Sequence, residues 1–397
     1  MQTAAKGAIL IVDDEPHALR ALQRLFRADA VSIHTAGSGI EALQILDRHD
    51  IDLLITDQRM PQMNGSELIK EACRRHQGID CMMLSGYNDH DALAEAINSG
   101  QLSRFIPKPW DSQKLRQSVL GLIEQRQQNH LHREQQRNEQ ALLRMFRVAL
   151  RQGQLSLHYQ PKIDLFTDQL CGAEALCRWT TTDGEIIPPL LFVTLAERHQ
   201  LIEPLGNWVL EQACEQLSRW RQNNRFNDLP MAVNITPGQL QQNDFATRVL
   251  EVLNQRQLAP RDLILELVEN ALLSSDPVTQ LNIRRLQSEG VALSIDDFGS
   301  EYSNFSYLCQ HAFNQLKLDK SLIDDLDTHQ RKRLVVQAIL QMARSMEMDV
   351  VAEGVENEGQ ANALRLMGCR SAQGFLFSAA LPADQFEHAY LPIRAAS

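Results

Sequence analysis

The sequence predicts an α/β chain of two domains, a five-stranded doubly wound parallel unit followed by a TIM-like (β/α)8 barrel. Three observations carry this. Short apolar runs alternate with amphipathic segments from residue 8 to about 123. A polar stretch free of Gly and Pro then interrupts the pattern at 124–140. Beyond it, eight further apolar runs recur with helical segments between them, and most close on a polar residue.

In the first unit the strands are AILIVDD, VSIHTA, DLLITDQ, CMMLSG and RFIPKPW. The stretch EQRQQNHLHREQQRNEQ has Leu131 as its only large aliphatic residue and no heptad seam, so it reads as a solvated helical spacer, not a zipper. The barrel runs are LSLHYQP, CGAEALCRW, MAVNITP, LILELVEN, VALSIDD, NQLKLD, DVVAEGVE and AQGFLF. The expected boundaries are 1–123 for the first domain, 124–140 for the helical linker and 141–397 for the barrel domain.

Composition excludes several functions. A chain of 397 residues with 44% hydrophobic and 22% charged residues can bury two cores. No apolar run approaches the roughly 18 residues of a membrane span, so membrane insertion is not expected. The start, MQTAAKGAILIVDD, lacks the pattern of a secretion signal, and the expected location is cytoplasmic. Seven cysteines without a CxxC pair suggest reduced, core-filling thiols. A formal charge of -11 argues against tracking the phosphates of DNA.

Two constellations carry chemistry. In the first unit Asp13 and Asp14 end strand one, Asp57 strand three, Ser85 strand four and Lys108 strand five. These are carboxyl ends of parallel strands, the edge at which doubly wound folds bind ligands. Three carboxylates gathered there call for a cation, and an oxygen-only set suits Mg²⁺, with Lys108 available to an added phosphoryl group. Acidic strand ends that merely cap turns would explain any one of these positions, but not the five together.

In the barrel, Glu174, Asn234, Glu266, Asp296, Asp297 and Glu353 supply oxygen ligands at successive strand ends, with Gln373 on the last strand. Hard divalent ions, Mg²⁺ or Mn²⁺, prefer such a set over zinc. So many acids in one mouth favour two ions, an arrangement suited to in-line attack on a phosphodiester, with Lys317 steadying water or developing charge. Alone, Asp296 and Asp297 would serve as a turn or helix cap, and Glu269 as a solvated side chain.

The first unit resembles a response-regulator receiver domain, carrying IVDDEP, TDQRMPQMNG, LSGY and FIPKPW in order. The resemblance implies a flavodoxin-like fold, phosphorylation of Asp57 by a sensor histidine kinase, and one Mg²⁺ held by Asp13, Asp14 and Asp57. It makes Ser85 and Phe105 the switch positions and Lys108 the phosphoryl contact, with a cis bond expected at Lys108–Pro109.

The second segment resembles the EAL domain, the cyclic di-GMP phosphodiesterase family, through YQPK, EALCRW, VNITPGQL, LELVE, IDDFG, LKLDK, AEGVE and QGFLFS. This implies a two-metal site of Glu174, Asn234, Glu266, Asp296, Asp297, Glu353 and Gln373, with hydrolysis of cyclic di-GMP to linear pGpG. Lys317 and Glu353 would handle the water, Arg178 and Gln160 the ligand, and Glu269 the loop after Asp297. That loop departs from the family pattern: Glu301 stands where the family has its second glycine. If that glycine adopts positive φ, a Glu there costs on the order of 1 kcal/mol. The alternative expectation is therefore a cyclic di-GMP receptor with weak turnover. A homodimer or higher homo-oligomer is the expected assembly.

Overall fold

The computed structural model describes residues 7–76, 78–86, 102–223, 225–269, 276–299, 308 and 311–391. Two compact units divide the chain at Gln140 and Ala141. In the first, β1 (Ala8–Val12), β2 (Ser32–Ala36), β3 (Leu53–Asp57), β4 (Asp80–Ser85) and β5 (Arg104–Pro107) form one sheet in the order β2-β1-β3-β4-β5. Every pairing is parallel. Strands β1, β3 and β4 are buried along nearly their whole length, which is why they read as unbroken apolar runs: helices cover both faces. Two separate apolar cores result, one around Leu10, Leu54 and Met83 and the other around Ile11, Ile55 and Leu84.

The predicted polar helix lies within a longer one, Ser112–Gln152. Its early turns bury Leu115, Val119 and Ile123 in the core of the first unit. Its last turns bury Phe146 and Ala149 in the core of the second. The described residues between 124 and 140 are mostly exposed, as their composition demands.

In the second unit eight strands close into a ring. They are β6 (Leu155–Asp164), β7 (Gln169–Thr180), β9 (Met231–Ile235), β10 (Leu263–Val268), β11 (Ala292–Phe298), β12 (Gln315–Leu318), β13 (Asp349–Ala352) and β14 (Ser371–Ala372). Two-residue strands β8 (Ile186–Ile187) and β15 (Leu381–Pro382) extend it outside the ring.

One strand differs from the uniform direction of a (β/α)8 barrel. β6 runs antiparallel to both its neighbours, β7 and β14. The cause is the connection: only residues 165–168 separate β6 from β7, enough for a hairpin and far short of a parallel crossover. The core between barrel and helices is aromatic on this side. Trp179 meets Phe146 and Phe192 with ring centroids 5.2 and 6.1 Å apart, and Tyr159, Trp220 and Phe386 form a second group.

Candidate functional site

In the first unit the strand ends meet as the sequence predicts. Asp13 and Asp57 are buried, Asp14 beside them is exposed, and Lys108 reaches both buried acids, 2.5 Å to Asp57 Oδ1 and 3.2 Å to Asp13 Oδ2. Burial raises the Asp13 carboxyl, and the Glu15 amide and Lys108 only partly offset this. Three carboxylates against one ammonium leave room for a cation, so the residues fit Mg²⁺. Gly65 is needed here because a Cβ would stand 2.3 Å from the Asp57 carbonyl oxygen. Ser85 closes β4, buried, and Phe105 on β5 packs half-buried against the core. The Lys108–Pro109 bond is cis.

In the barrel the predicted residues converge on one mouth. Lys317, 1% exposed on β12, stands at the centre of four carboxylates. Its Nζ lies 2.7 Å from Glu266 Oε2, 2.7 Å from Glu353 Oε1, 2.9 Å from Asp296 Oδ1 and 3.4 Å from Glu174 Oε2. Register explains the convergence. Glu266 sits directly across from Asn234, and Glu174 from Gln160, so ligand positions of neighbouring strands share one level.

Asp296 and Asp297 are consecutive, and in a regular strand their side chains would point to opposite faces. The ladder between β11 and β12 slips between Ile295 and Phe298, and Asp297 takes φ +54. Such a slip re-aims side chains, and a left-handed aspartate is a local cost that functional sites tolerate. The result is a trio, Asp296, Asp297 and Glu353, whose ligand oxygens lie within 4.8 Å of one another.

Amides brace the acids. Asn234 Nδ2 donates to Glu174 Oε1 at 2.6 Å, leaving its own Oδ1 as an acceptor. Gln373 Nε2 donates to Glu174 Oε2 at 2.7 Å and to Gln160 Oε1 at 2.8 Å, while Gln373 Oε1 is buried with no partner. Burial opposes ionisation of Glu174, yet Lys317, Lys162 and these amides outweigh it and hold the carboxyl at about 2. Burial, with Glu174 beside it, lifts Glu266 to about 7 against the pull of the two lysines. Burial likewise lifts Glu353 to about 8, with Lys317 opposing and the other acids reinforcing.

Five carboxylates against two ammonium groups, together with an orphaned amide oxygen, suit the two hard divalent ions expected from the sequence. The mouth opens to a cavity of about 390 Å³ lined by Gln160, Glu174, Asn234, Asp296, Glu353 and Gln373. Gly374 lets the chain pass close beneath it, since a Cβ there would meet Val355 backbone at 2.2 Å.

The remaining predicted residues are placed as follows. Gln160 braces Gln373 and also donates to the Ser378 carbonyl at 3.1 Å. Arg178 lines an adjacent, largely apolar cavity of about 240 Å³ with Leu176 and Phe192, and donates to the Cys177 carbonyl. Glu269 follows β10, half-buried. Glu301 lies outside the described residues.

Lys162 is the residue that the sequence reading missed. It is 3% exposed, and its Nζ lies 2.7 Å from Glu266 Oε1 and 3.3 Å from Gln315 Oε1. The signal was the period of two on β6, which puts Lys162 on the inner face with Gln160.

The EAL domain matches residues 143–380 and the response regulator receiver domain residues 9–120. The chain belongs to the EAL domain family. Its EAL domain is preceded by a receiver domain. Relatives include the signaling protein YkoW of Bacillus subtilis, 37% identical over 61% of this chain and 30% of that protein. Another is the bifunctional diguanylate cyclase/cyclic di-GMP phosphodiesterase MucR of Pseudomonas aeruginosa, 37% identical over 62% of this chain and 36% of that one. The chain thus spans about a third of the length of these relatives. The solved structure of the PaMucR phosphodiesterase in complex with c-di-GMP aligns at a TM-score of 0.59 and 36% identity, covering 62% of this chain and 99% of that one. No described helix is long and apolar enough to cross a membrane.

Proposed function

We propose that this chain is a cytoplasmic response regulator whose EAL domain hydrolyses cyclic di-GMP to linear pGpG with two Mg²⁺ or Mn²⁺ ions, under control of phosphorylation at Asp57. The observation that carries the reading is the trio of Asp296, Asp297 and Glu353, with oxygens within 4.8 Å, beside a lysine that touches four carboxylates.

Glu174, Asn234, Glu266, Asp296, Asp297, Glu353 and Gln373 would hold the ions. When bound, the ions supply positive charge to the phosphodiester and its attacking and leaving oxygens. The chain's own residues do the rest. Lys317 Nζ holds the attacking water, and Glu353 accepts its proton. The water oxygen bonds to phosphorus as one phosphorus–oxygen ester bond breaks, the leaving sugar oxygen takes up a proton, and the ring opens to the linear dinucleotide. Arg178 and Gln160 seat the ligand, and the guanidinium fork suits a phosphate. Glu269 steadies the loop that follows Asp297.

Chelator-stripped protein given Mg²⁺ or Mn²⁺ should produce the linear dinucleotide by chromatography. No product, with or without a phosphoryl mimic, defeats the catalytic reading.

A second reading, a receptor that binds cyclic di-GMP and hardly cleaves it, rests on Glu301 in place of the family glycine. Tight binding with negligible hydrolysis in the wild type, and turnover restored by Glu301→Gly, would favour it.

In the receiver domain, a sensor histidine kinase would phosphorylate Asp57, with Asp13 and Asp14 holding one Mg²⁺ and Lys108 meeting the phosphoryl oxygens. Ser85 and Phe105 would relay the change to the helix at 124–140 or to a homodimer interface. Beryllofluoride should then change activity or oligomeric state. DNA is not among the proposed partners, given the net charge of -11.

A further inference from the structure

The carboxylate of Glu266 is spanned by two buried lysines, one on each oxygen. Oε1 lies 2.7 Å from Lys162 Nζ and Oε2 lies 2.7 Å from Lys317 Nζ. The two lysines are not equivalent. Lys317 has three further carboxylates, those of Glu174, Asp296 and Glu353, within 3.4 Å. Lys162, 3% exposed, has among the described residues only one other partner, the neutral amide oxygen of Gln315 at 3.3 Å. Oε2 can therefore be surrendered by Lys317 without stranding a charge. Releasing Oε1 would leave the Lys162 ammonium buried against an amide alone, a state proteins avoid.

This asymmetry has a consequence for the ions that the proposed function places in the mouth. A carboxylate with one oxygen pinned can give a cation only the other. Ca²⁺ takes six to eight oxygens and commonly both oxygens of a carboxylate, whereas Mg²⁺ demands six ligands in a tight octahedron. We propose that Lys162 is a specificity-determining residue: by holding Glu266 Oε1 it confines Glu266 to one-oxygen coordination, and so selects small octahedral divalent ions over Ca²⁺. It acts through Glu266 and is a positioning residue. The inference rests on the reading of the mouth as a divalent-ion site.

The test is a pair of titrations of the chelator-stripped full chain, with Mn²⁺ and with Ca²⁺, followed by calorimetry. The quantity read is the ratio of the two affinities, because removing a positive charge shifts both absolute values. The receiver domain's own site is common to every variant and cancels. Lys162→Met is expected to lower the Mn²⁺ to Ca²⁺ affinity ratio about tenfold, and Lys162→Arg to keep it near wild type. Gln315→Leu removes the second acceptor of Lys162, ties the ammonium more firmly to Glu266 Oε1, and should move the ratio the opposite way by less. It decides the matter if Lys162→Met does not give a cooperative thermal melt. An unchanged ratio in folded Lys162→Met, or in Gln315→Leu where Lys162→Met fails to fold, overturns the role of Lys162 and leaves the metal site standing. A wild-type chain that binds no ion beyond the receiver domain's overturns both.

Discussion

Lys317 and Glu353 form an ion pair, 2.7 Å from Nζ to Oε1, in which the glutamate is half-buried and the lysine is 1% exposed and shared with three other acids. One ammonium is thus the main counter-charge of the mouth. Deleting it in Lys317→Met leaves those acids facing each other, and losing one partner of a buried pair costs about 3 kcal/mol or more. Urea unfolding in chelator should show that loss, and added Mn²⁺ should restore part of it by supplying the missing charge. Turnover of cyclic di-GMP should fall on the order of a hundredfold or more in the same variant, as when a donor to developing charge is removed. A variant as stable in chelator as the wild type would mean that Lys317 is not what balances the cluster.

Gln373 gives both amide hydrogens to neighbours, Glu174 Oε2 and Gln160 Oε1, and keeps one buried oxygen unpartnered. Gln373→Leu removes the brace and that oxygen together. The expected result is a fall in Mn²⁺ affinity of roughly 10- to 100-fold, the range for lost supporting contacts around metal ligands. Calorimetry measures it. Unchanged affinity would confine Gln373 to a packing role.

In the receiver domain, Lys108 stands 2.5 Å from Asp57 Oδ1, in contact with the proposed phosphoryl acceptor. Acetyl phosphate with Mg²⁺ should add one phosphoryl mass to the intact chain, with nothing added after chelation or in Asp57→Asn. Lys108→Met should still fold, because the pair is partly solvated, but should show weaker coupling between phosphorylation and turnover. Phosphorylation that persists in Asp57→Asn would move the acceptor elsewhere.

Much of this was legible in the sequence because period and position carry it. The parallel sheet of the first unit is visible in unbroken apolar runs such as AILIV and LLIT, which only a strand covered on both faces tolerates. The acids of both sites were visible because each ends a strand or lies near its end. Three features were not. The reversal of β6 depends on the short connection at 165–168, which apolar periodicity does not weigh. The means by which Asp296 and Asp297, both expected as ligands, reach one site is a slipped ladder and a left-handed residue, both set by tertiary packing. Lys162 was hidden because a lysine in a strand reads as solvent-facing, and only its two-residue offset from Gln160 betrayed an inner position.

Cys73 Sγ lies 3.8 Å from Cys81 Sγ, and the two thiols are driven apart in acidity. A hydrogen bond from Cys81 to the Cys73 sulfur is the main cause that brings Cys73 down to about 7, against the opposing effects of burial and Asp80. Cys81 is raised by that same bond and by burial. Burial raises Cys171, and it pushes Cys177, Cys214 and Cys369 up to about 12. The thiolate is the reactive form, so its fraction, and with it the alkylation rate, rises with pH through the pKa. Iodoacetamide should therefore modify Cys73 first among the described cysteines, with a rate that reaches half its plateau near pH 7. Peptide mass spectrometry over a pH series reads this directly. Cys81→Ala removes the donor and should shift the profile of Cys73 to higher pH, toward an ordinary thiol. A profile that does not move in Cys81→Ala would show that the neighbouring sulfur is not what lowers Cys73.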